Sequence, residues 1–211
     1  MSAPPNPPER KRQIRKAGTQ ARILEVARLQ FERDGFDVAS IRAIAAEAGI
    51  ASGTVLLHFS DKLGLLHAAL HDDLERTIQR CLAAPSRGRL LPRLSRIARA
   101  FYDYYAKRPT LSKVLLRESL FAEPPWRERF GEQLARVQAR VVAIVEESRA
   151  SGEVAPSTHA GLIAVAFSCF YYFTLAAWIQ GRVKAPLPMF EKLMAQHLSG
   201  AAVPSAKDTD R

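Results

Sequence analysis

Residues Ser40 to Phe59 read SIRAIAAEAGIASGTVLLHF, and the reading of this stretch decides the fold. Ser40 offers a side-chain oxygen to cap a helix start, and Ile41, Ile44, Ala45 and Ala48 then recur at helical spacing. Gly49 accepts the positive φ that ends a helix, and Ile50 plugs the turn after it. A second helix is expected from Ala51 or Ser52, with Val55 and Phe59 turned inward and Ser52, Gly53, Thr54 and His58 turned outward. Two short helices joined by a tight glycine turn are the arrangement that lays its second helix in the major groove of DNA.

Working outward, Ile23, Leu24, Ala27 and Phe31 form an apolar helical stripe that is followed by Gly35-Phe36. Downstream come Ile44-Ala45, Ala48-Gly49-Ile50, Gly53-Thr54, His58-Phe59, Lys62 and Leu65-Leu66. On these residues the chain resembles the N-terminal domain of the TetR family of bacterial transcriptional regulators. Order and spacing run unbroken over about a quarter of the chain, a pattern more specific than a lone helix-turn-helix. Three positions depart from the family pattern: Ala51 replaces a capping Ser, Leu56 a phosphate-contacting Tyr, and Leu63 a Glu. The resemblance implies that Thr54 and Lys62 contact phosphate and fix register, and that Arg42, Ser52 and His58 stand where base edges are read. Ser40 and Gly53 complete the expected DNA-facing set.

With 211 residues the chain is long enough for one large or two small cores, and its formal net charge is +10. That balance favours an anionic partner such as nucleic acid and says nothing of the fold. Arg10, Lys11, Arg12, Arg15, Lys16 and Arg22 form a run with no acid between Glu9 and Glu25. We expect a basic, disordered arm over residues 1–16, a helix-turn-helix domain over 17–62, a second helical domain over 63–200 and a polar tail over 201–211. The start, MSAPPNPPER, has no apolar core of a signal peptide, which points to the cytoplasm. Cys81 and Cys169 lack metal or redox spacing and read as packing thiols.

The rest of the chain reads as helix, with no period-two strand, so the expected fold is all-α. Ser60 is the expected cap of a helix carrying Leu63, Leu66, Leu70, Leu74 and Ile78, and Pro85 and Gly88 break the chain after it. Further helices are expected from Leu90 to Lys107, from Pro109 to about Leu120, and through Phe130, Leu134, Val137, Val141 and Ile144 to Gly152. Residues 160 to 180 contain no Asp, Glu, Lys or Arg, a length that also suits a membrane span. Ser168, Thr174 and Tyr171-Tyr172 lie in the middle of this segment. We read it as a helix covered by its own domain on one side and a second subunit on the other, with no membrane partner. A short closing helix follows Pro186 and Pro188.

This layout resembles the regulatory domain of the same family, which implies a homodimer built on the last two long helices and a cavity for a small-molecule effector. Candidates for the dimer seam are Phe167, Phe170, Tyr171, Thr174, Trp178, Phe190, Leu193 and His197. Candidates for the effector site are Phe101, Tyr102, Tyr105, Glu118, Phe121, Trp126 and Phe130, whose rings suit an apolar or aromatic ligand. Tyr104 belongs to the same aromatic group. Arg89, Arg93, Arg96 and Arg99 read as a charged helix face. His67 and His71 are four apart with Asp72-Asp73 behind them, but two ligands do not make a metal site, and no metal or cofactor is expected.

No Gly-rich phosphate loop or activated nucleophile with a placed base stands out, which disfavours an enzyme. The expectation is a ligand-responsive repressor that binds a near-palindromic, double-stranded operator as a homodimer. The alternative is a ligand-binding or adaptor protein of the same fold whose operator binding is weak or lost, as the departures at Ala51 and Leu56 suggest.

Overall fold

The computed structural model describes residues 7–84 and 87–199, apart from the side chains of residues 7–9 and 12. Pro85 and the polar tail therefore lie outside the described residues. Within them every regular element is a helix: α1 Pro7–Asp34, α2 Ile41–Glu47, α3 Ser52–Phe59, α4 Lys62–Ala83, α5 Leu90–Ala106, α6 Pro109–Phe121, α7 Trp126–Ala150, α8 Ala160–Ile179 and α9 Pro186–Ser199. The protein is all-α, with the helix-turn-helix in its N-terminal part.

The expected arm is a correction. Helix α1 already runs from Pro7, so the described basic residues of the run are helical; residues 1–6 lie outside the description. Unbranched long side chains and Ala dominate this stretch, and they lose little rotamer freedom in a helix. Up to Arg22 its described side chains are almost all exposed, and Ile23, Leu24, Ala27 and Phe31 are the first to be buried.

Two compact units emerge. The first comprises Met1–Leu74 with Arg108–Glu118, and the second Glu75–Lys107 with Ser119–Arg211. This moves the expected boundary at residue 62, because the start of α4 and most of α6 belong with the first unit. Specific polar contacts explain it. Glu32 of α1 accepts hydrogen bonds from the free backbone N–H groups of Thr110 (3.1 Å) and Leu111 (3.2 Å) at the start of α6. Arg108 pairs with Asp73 at 2.7 Å, and Arg28 with Asp72 at 2.9 Å. The core between them is Ile23, Ala27, Phe31, Ile44, Val55, Leu65, Leu66, Leu111 and Leu115.

In the second unit α7 lies along α8, and α9 packs on both α8 and α5. Val141, Ile144 and Val145 of α7, Leu175 of α8, Phe190 and Met194 of α9 and Leu94 of α5 are all buried. The arginine face of α5 is split: Arg93 is buried and paired with Glu147, whereas Arg89 is exposed beside Glu153. Glu153 also accepts from the backbone N–H of Leu90 at 2.8 Å, which caps α5 in place of a side chain at Arg89. Helix α8 is long and apolar enough to cross a membrane, and it buries one face within this unit.

Candidate nucleic-acid interface

The reading head is built by local hydrogen bonds. Ser40 has extended backbone, and its Oγ accepts from Ala43 N at 3.1 Å, closing the start of α2. At the other end Gly49 takes φ 64°, with Gly49 N bonded to Ala46 O (3.1 Å) and Ile50 N to Ala45 O (3.0 Å). This double reverse bond satisfies carbonyls that the helix end would otherwise leave open, and it needs a residue comfortable at positive φ. Helix α3 follows at once with Ala51 as its cap residue and no side-chain cap bond, so Ser52 is inside the helix and does not take over the cap. Thr54 N bonds back to Ala51 O at 2.9 Å, and no side chain caps the N–H groups before it.

Val55 and Phe59 of α3 are buried against the core, as its spacing predicts. Ser40, Arg42 and Gly53 are exposed, while Ser52, Thr54 and His58 are half-buried. A Cβ at Gly53 would meet nothing within 4 Å, so another backbone has room to approach there. Leu56 is 45% exposed and Leu57 88% exposed on this same short helix. Sequence reasoning missed Leu57; the available signal was its position four residues after Gly53, one helical turn along the outward face.

The turn from α3 into α4 differs from expectation in two ways. Ser60 does not cap α4; it sits at φ 62°, ψ −53°, and Asp61 N bonds back to Phe59 O at 2.6 Å. Those are the marks of a γ-turn of the rare, strained hand. Asp61 is the cap, its Oδ1 accepting from Gly64 N at 2.7 Å. Lys62 is the second difference. Its Nζ donates to the carbonyl oxygens of Phe36 (2.9 Å), Ala39 (3.1 Å) and Asp37 (3.3 Å), which occupies all three N–H donors of an ammonium. The carbonyls that end one loop draw the charge inward, where the resemblance implied a phosphate contact.

The expected effector residues scatter. Phe101, Tyr102, Tyr105 and Phe130 are buried in the second unit, and Tyr102 also contacts Tyr171 at 5.3 Å and Phe190 at 6.4 Å between centroids. Tyr102 Oη and Thr174 Oγ1 are 2.6 Å apart, and burial pushes both Tyr102 and Tyr105 above the ordinary phenol range. Tyr104 is buried edge-on to Tyr105 at 5.5 Å. These rings are buried as core, Phe101 and Tyr102 both against Tyr171. Trp126 is half-buried under Arg129 and meets Phe130 at 6.3 Å between centroids, whereas Phe121 is 76% exposed. Glu118 belongs to the first unit, its Oε2 2.6 Å from His67 Nε2 and its Oε1 accepting from Arg117 Nε at 2.7 Å. Burial pushes this carboxyl up, and the two hydrogen bonds outweigh it, holding Glu118 below the usual carboxylate range. The second unit also carries an open groove of about 340 Å³ lined by Leu90, Leu91, Pro92, Val154, Ala195 and Leu198 together with Arg89, Glu153 and Ser199, none of them among the expected effector residues.

The expected seam is likewise divided. Phe167, Tyr171, Thr174 and Phe190 are buried within their own unit, which removes them from any surface. Phe170, Trp178 and Leu193 are half-buried and His197 is exposed. The outward stripe of α8 is instead Leu162, Val165, Cys169 and Phe173, at spacings of three and four. Cys169 thus belongs to the surface rather than the core.

Residues 23–69 match the family model of bacterial regulatory proteins, tetR family. The chain is 28% identical over 167 residues to the HTH-type transcriptional repressor KstR of Rhodococcus jostii, covering 78% of this chain and 74% of that one. It is 40% identical over 62 residues to the HTH-type transcriptional regulator UidR of Escherichia coli, a match spanning 29% of this chain and 32% of the relative. Among solved structures, the transcriptional regulator FadR from Bacillus subtilis in complex with stearoyl-CoA superposes with a TM-score of 0.68 at 19% identity, covering 85% of this chain and 98% of that one.

Proposed function

We propose that this chain, a TetR-family DNA-binding transcriptional regulator by its matched N-terminal domain and its all-α fold, represses transcription by binding a near-palindromic operator as a homodimer through α3. The observation that carries the reading is α3 itself. It combines an N-terminus with no side-chain cap, a side-chain-free Gly53 and half-exposed Ser52, Thr54 and His58, with Arg42 exposed on the preceding helix. The DNA-facing set is therefore Ser40, Arg42, Ser52, Gly53, Thr54 and His58, with Lys62 acting from behind it.

The surface of the second unit supports a homodimer. Leu162, Val165, Cys169 and Phe173 give α8 an outward apolar stripe, and Met189 of α9 is exposed as well. A continuous apolar face of this kind is suited to a second copy of itself. Two heads are needed because each half-site lies one helical turn of DNA, about 34–36 Å, or a multiple of it from the next. A ligand releases the DNA by its differential affinity for the two spacings of the heads, so tight binding alone is not enough. The effector is read as an apolar or aromatic small molecule, in line with the acyl thioester held by the Bacillus subtilis neighbour. The reading assigns the protein no chemical step and places it in the cytoplasm.

Selection of genomic fragments on the full-length protein at physiological salt tests this. Enrichment of one motif with two related halves is expected. Retention of every fragment alike, or of none, would instead favour the adaptor of the same fold.

A further inference from the structure

We propose that Leu57, supported by Leu56, is a specificity-determining residue that reads the C5-methyl groups of thymine in the operator. The inference rests on the reading of α3 as the DNA-contacting helix. A leucine that is 88% exposed on an eight-residue helix, next to one that is 45% exposed, has no use for the α2 and α3 core, which Val55 and Phe59 already fill. Leucine has neither donor nor acceptor, so it contributes nothing to phosphate contacts or to hydrogen-bonded base edges.

Position narrows the occupant. Leu56 and Leu57 lie three and four residues after Gly53, so all three share one face of α3. At Gly53 the surface is open, which lets the helix come close to a neighbour and brings both side chains to its floor. The apolar patch is continuous with the polar residues Ser52, Thr54 and His58 of the matched domain, so its partner is the one that they contact. In the major groove the apolar feature of the unmodified base pairs is the thymine methyl. A patch of two leucines therefore favours T where a hydroxyl or amide would favour other edges.

Uracil removes that methyl and nothing else. Each thymine of the selected operator is replaced by uracil in turn, and affinity is measured for wild type, Leu57→Ala and Leu56→Ala, both of which place a good helix former at an exposed site. At one or two positions in each half-site, the exchange is expected to weaken wild-type binding about fourfold, the factor given by one buried methyl-sized group. Leu57→Ala is expected to bind the two operators equally at those positions. Sequence-selective binding by wild type that ignores every uracil overturns the inference alone, as does a uracil effect that survives in both variants. So does a patch that holds two heads together, seen as self-association lost in Leu57→Ala with no uracil effect. Absence of any selective binding overturns the regulator reading and this inference together.

Discussion

The Lys62 ammonium lies 4.5 Å from the centroid of the Phe36 ring and 2.9 Å from the Phe36 carbonyl oxygen. A cation over an aromatic face, bonded to that residue's own carbonyl, ties the first residue of α4 to the loop that leads into α2. The reading helix is strung between these two points, so Lys62 sets where α3 stands without reaching outward itself.

Replacing Lys62 by Met keeps much of the stem and removes the charge. Loss of a charge-assisted hydrogen-bond set is expected to destabilise the first unit by about 1.5–3 kcal/mol, seen as a lower urea midpoint. Operator affinity falls with it, but the slope of log affinity against log salt stays unchanged. A slope reduced by about 0.9 per subunit would show that Lys62 neutralises a phosphate after all.

Ser60 holds φ 62° without being glycine. A non-glycine residue in such a conformation costs on the order of 1–3 kcal/mol, and glycine removes most of that at some cost in chain entropy. Ser60→Gly is therefore expected to raise stability by about 1 kcal/mol in equilibrium unfolding, and Ser60→Val to lower it. Equal stabilities for all three proteins would mean that the turn relaxes in solution.

Glu75 is held by Arg136, whose Nη1 donates at 2.8 Å, and by Gln133 at 2.9 Å, and its pKa is lowered from 4.5 to about 2, chiefly by the Arg136 hydrogen bond. A depressed carboxylate stabilises the fold above its unfolded pKa, and that contribution is lost as pH falls through the folded value. Wild type should lose stability between about pH 5 and pH 2, and Glu75→Gln should lose less over this window. At pH 7 the variant is expected to be less stable by about 1–2 kcal/mol, because Arg136 is partly exposed and its pair is screened. Parallel pH profiles for the two proteins would rule out Glu75 as the titrating group.

Phe173 is 59% exposed on the outward stripe of α8, whereas Phe167 six residues earlier is buried. Phe173→Glu should leave the fold of the single chain intact and turn a dimer into monomer, because an unpaired carboxylate is costly to bury in an apolar interface. Sedimentation reads the mass, and operator binding is expected to fall with it. A wild type that is monomeric at micromolar concentration would sink the homodimer, and a dimeric Phe173→Glu would move the seam to another face.

What the sequence by itself determined lies within a few residues along the chain. Ser40 reaches Ala43, Gly49 lets Ile50 bond back to Ala45, and Val55 and Phe59 share one side of α3 because they are four apart. Helix periodicity and capping act over one turn, so they are visible in order and spacing alone. Tertiary structure decided the rest, because partners distant in sequence leave no local mark. Lys62 finds carbonyls 23 to 26 residues away, and Glu118 finds His67 at a separation of 51. Helix α8 is apolar on nearly all sides, so its pattern names no direction; only packing against α5, α7 and α9 buries Phe167 and Tyr171 and leaves Leu162 and Phe173 outside. The exposure of Leu57 has the same origin, since the small core beneath α3 is already filled and an eight-residue helix has only one side to bury.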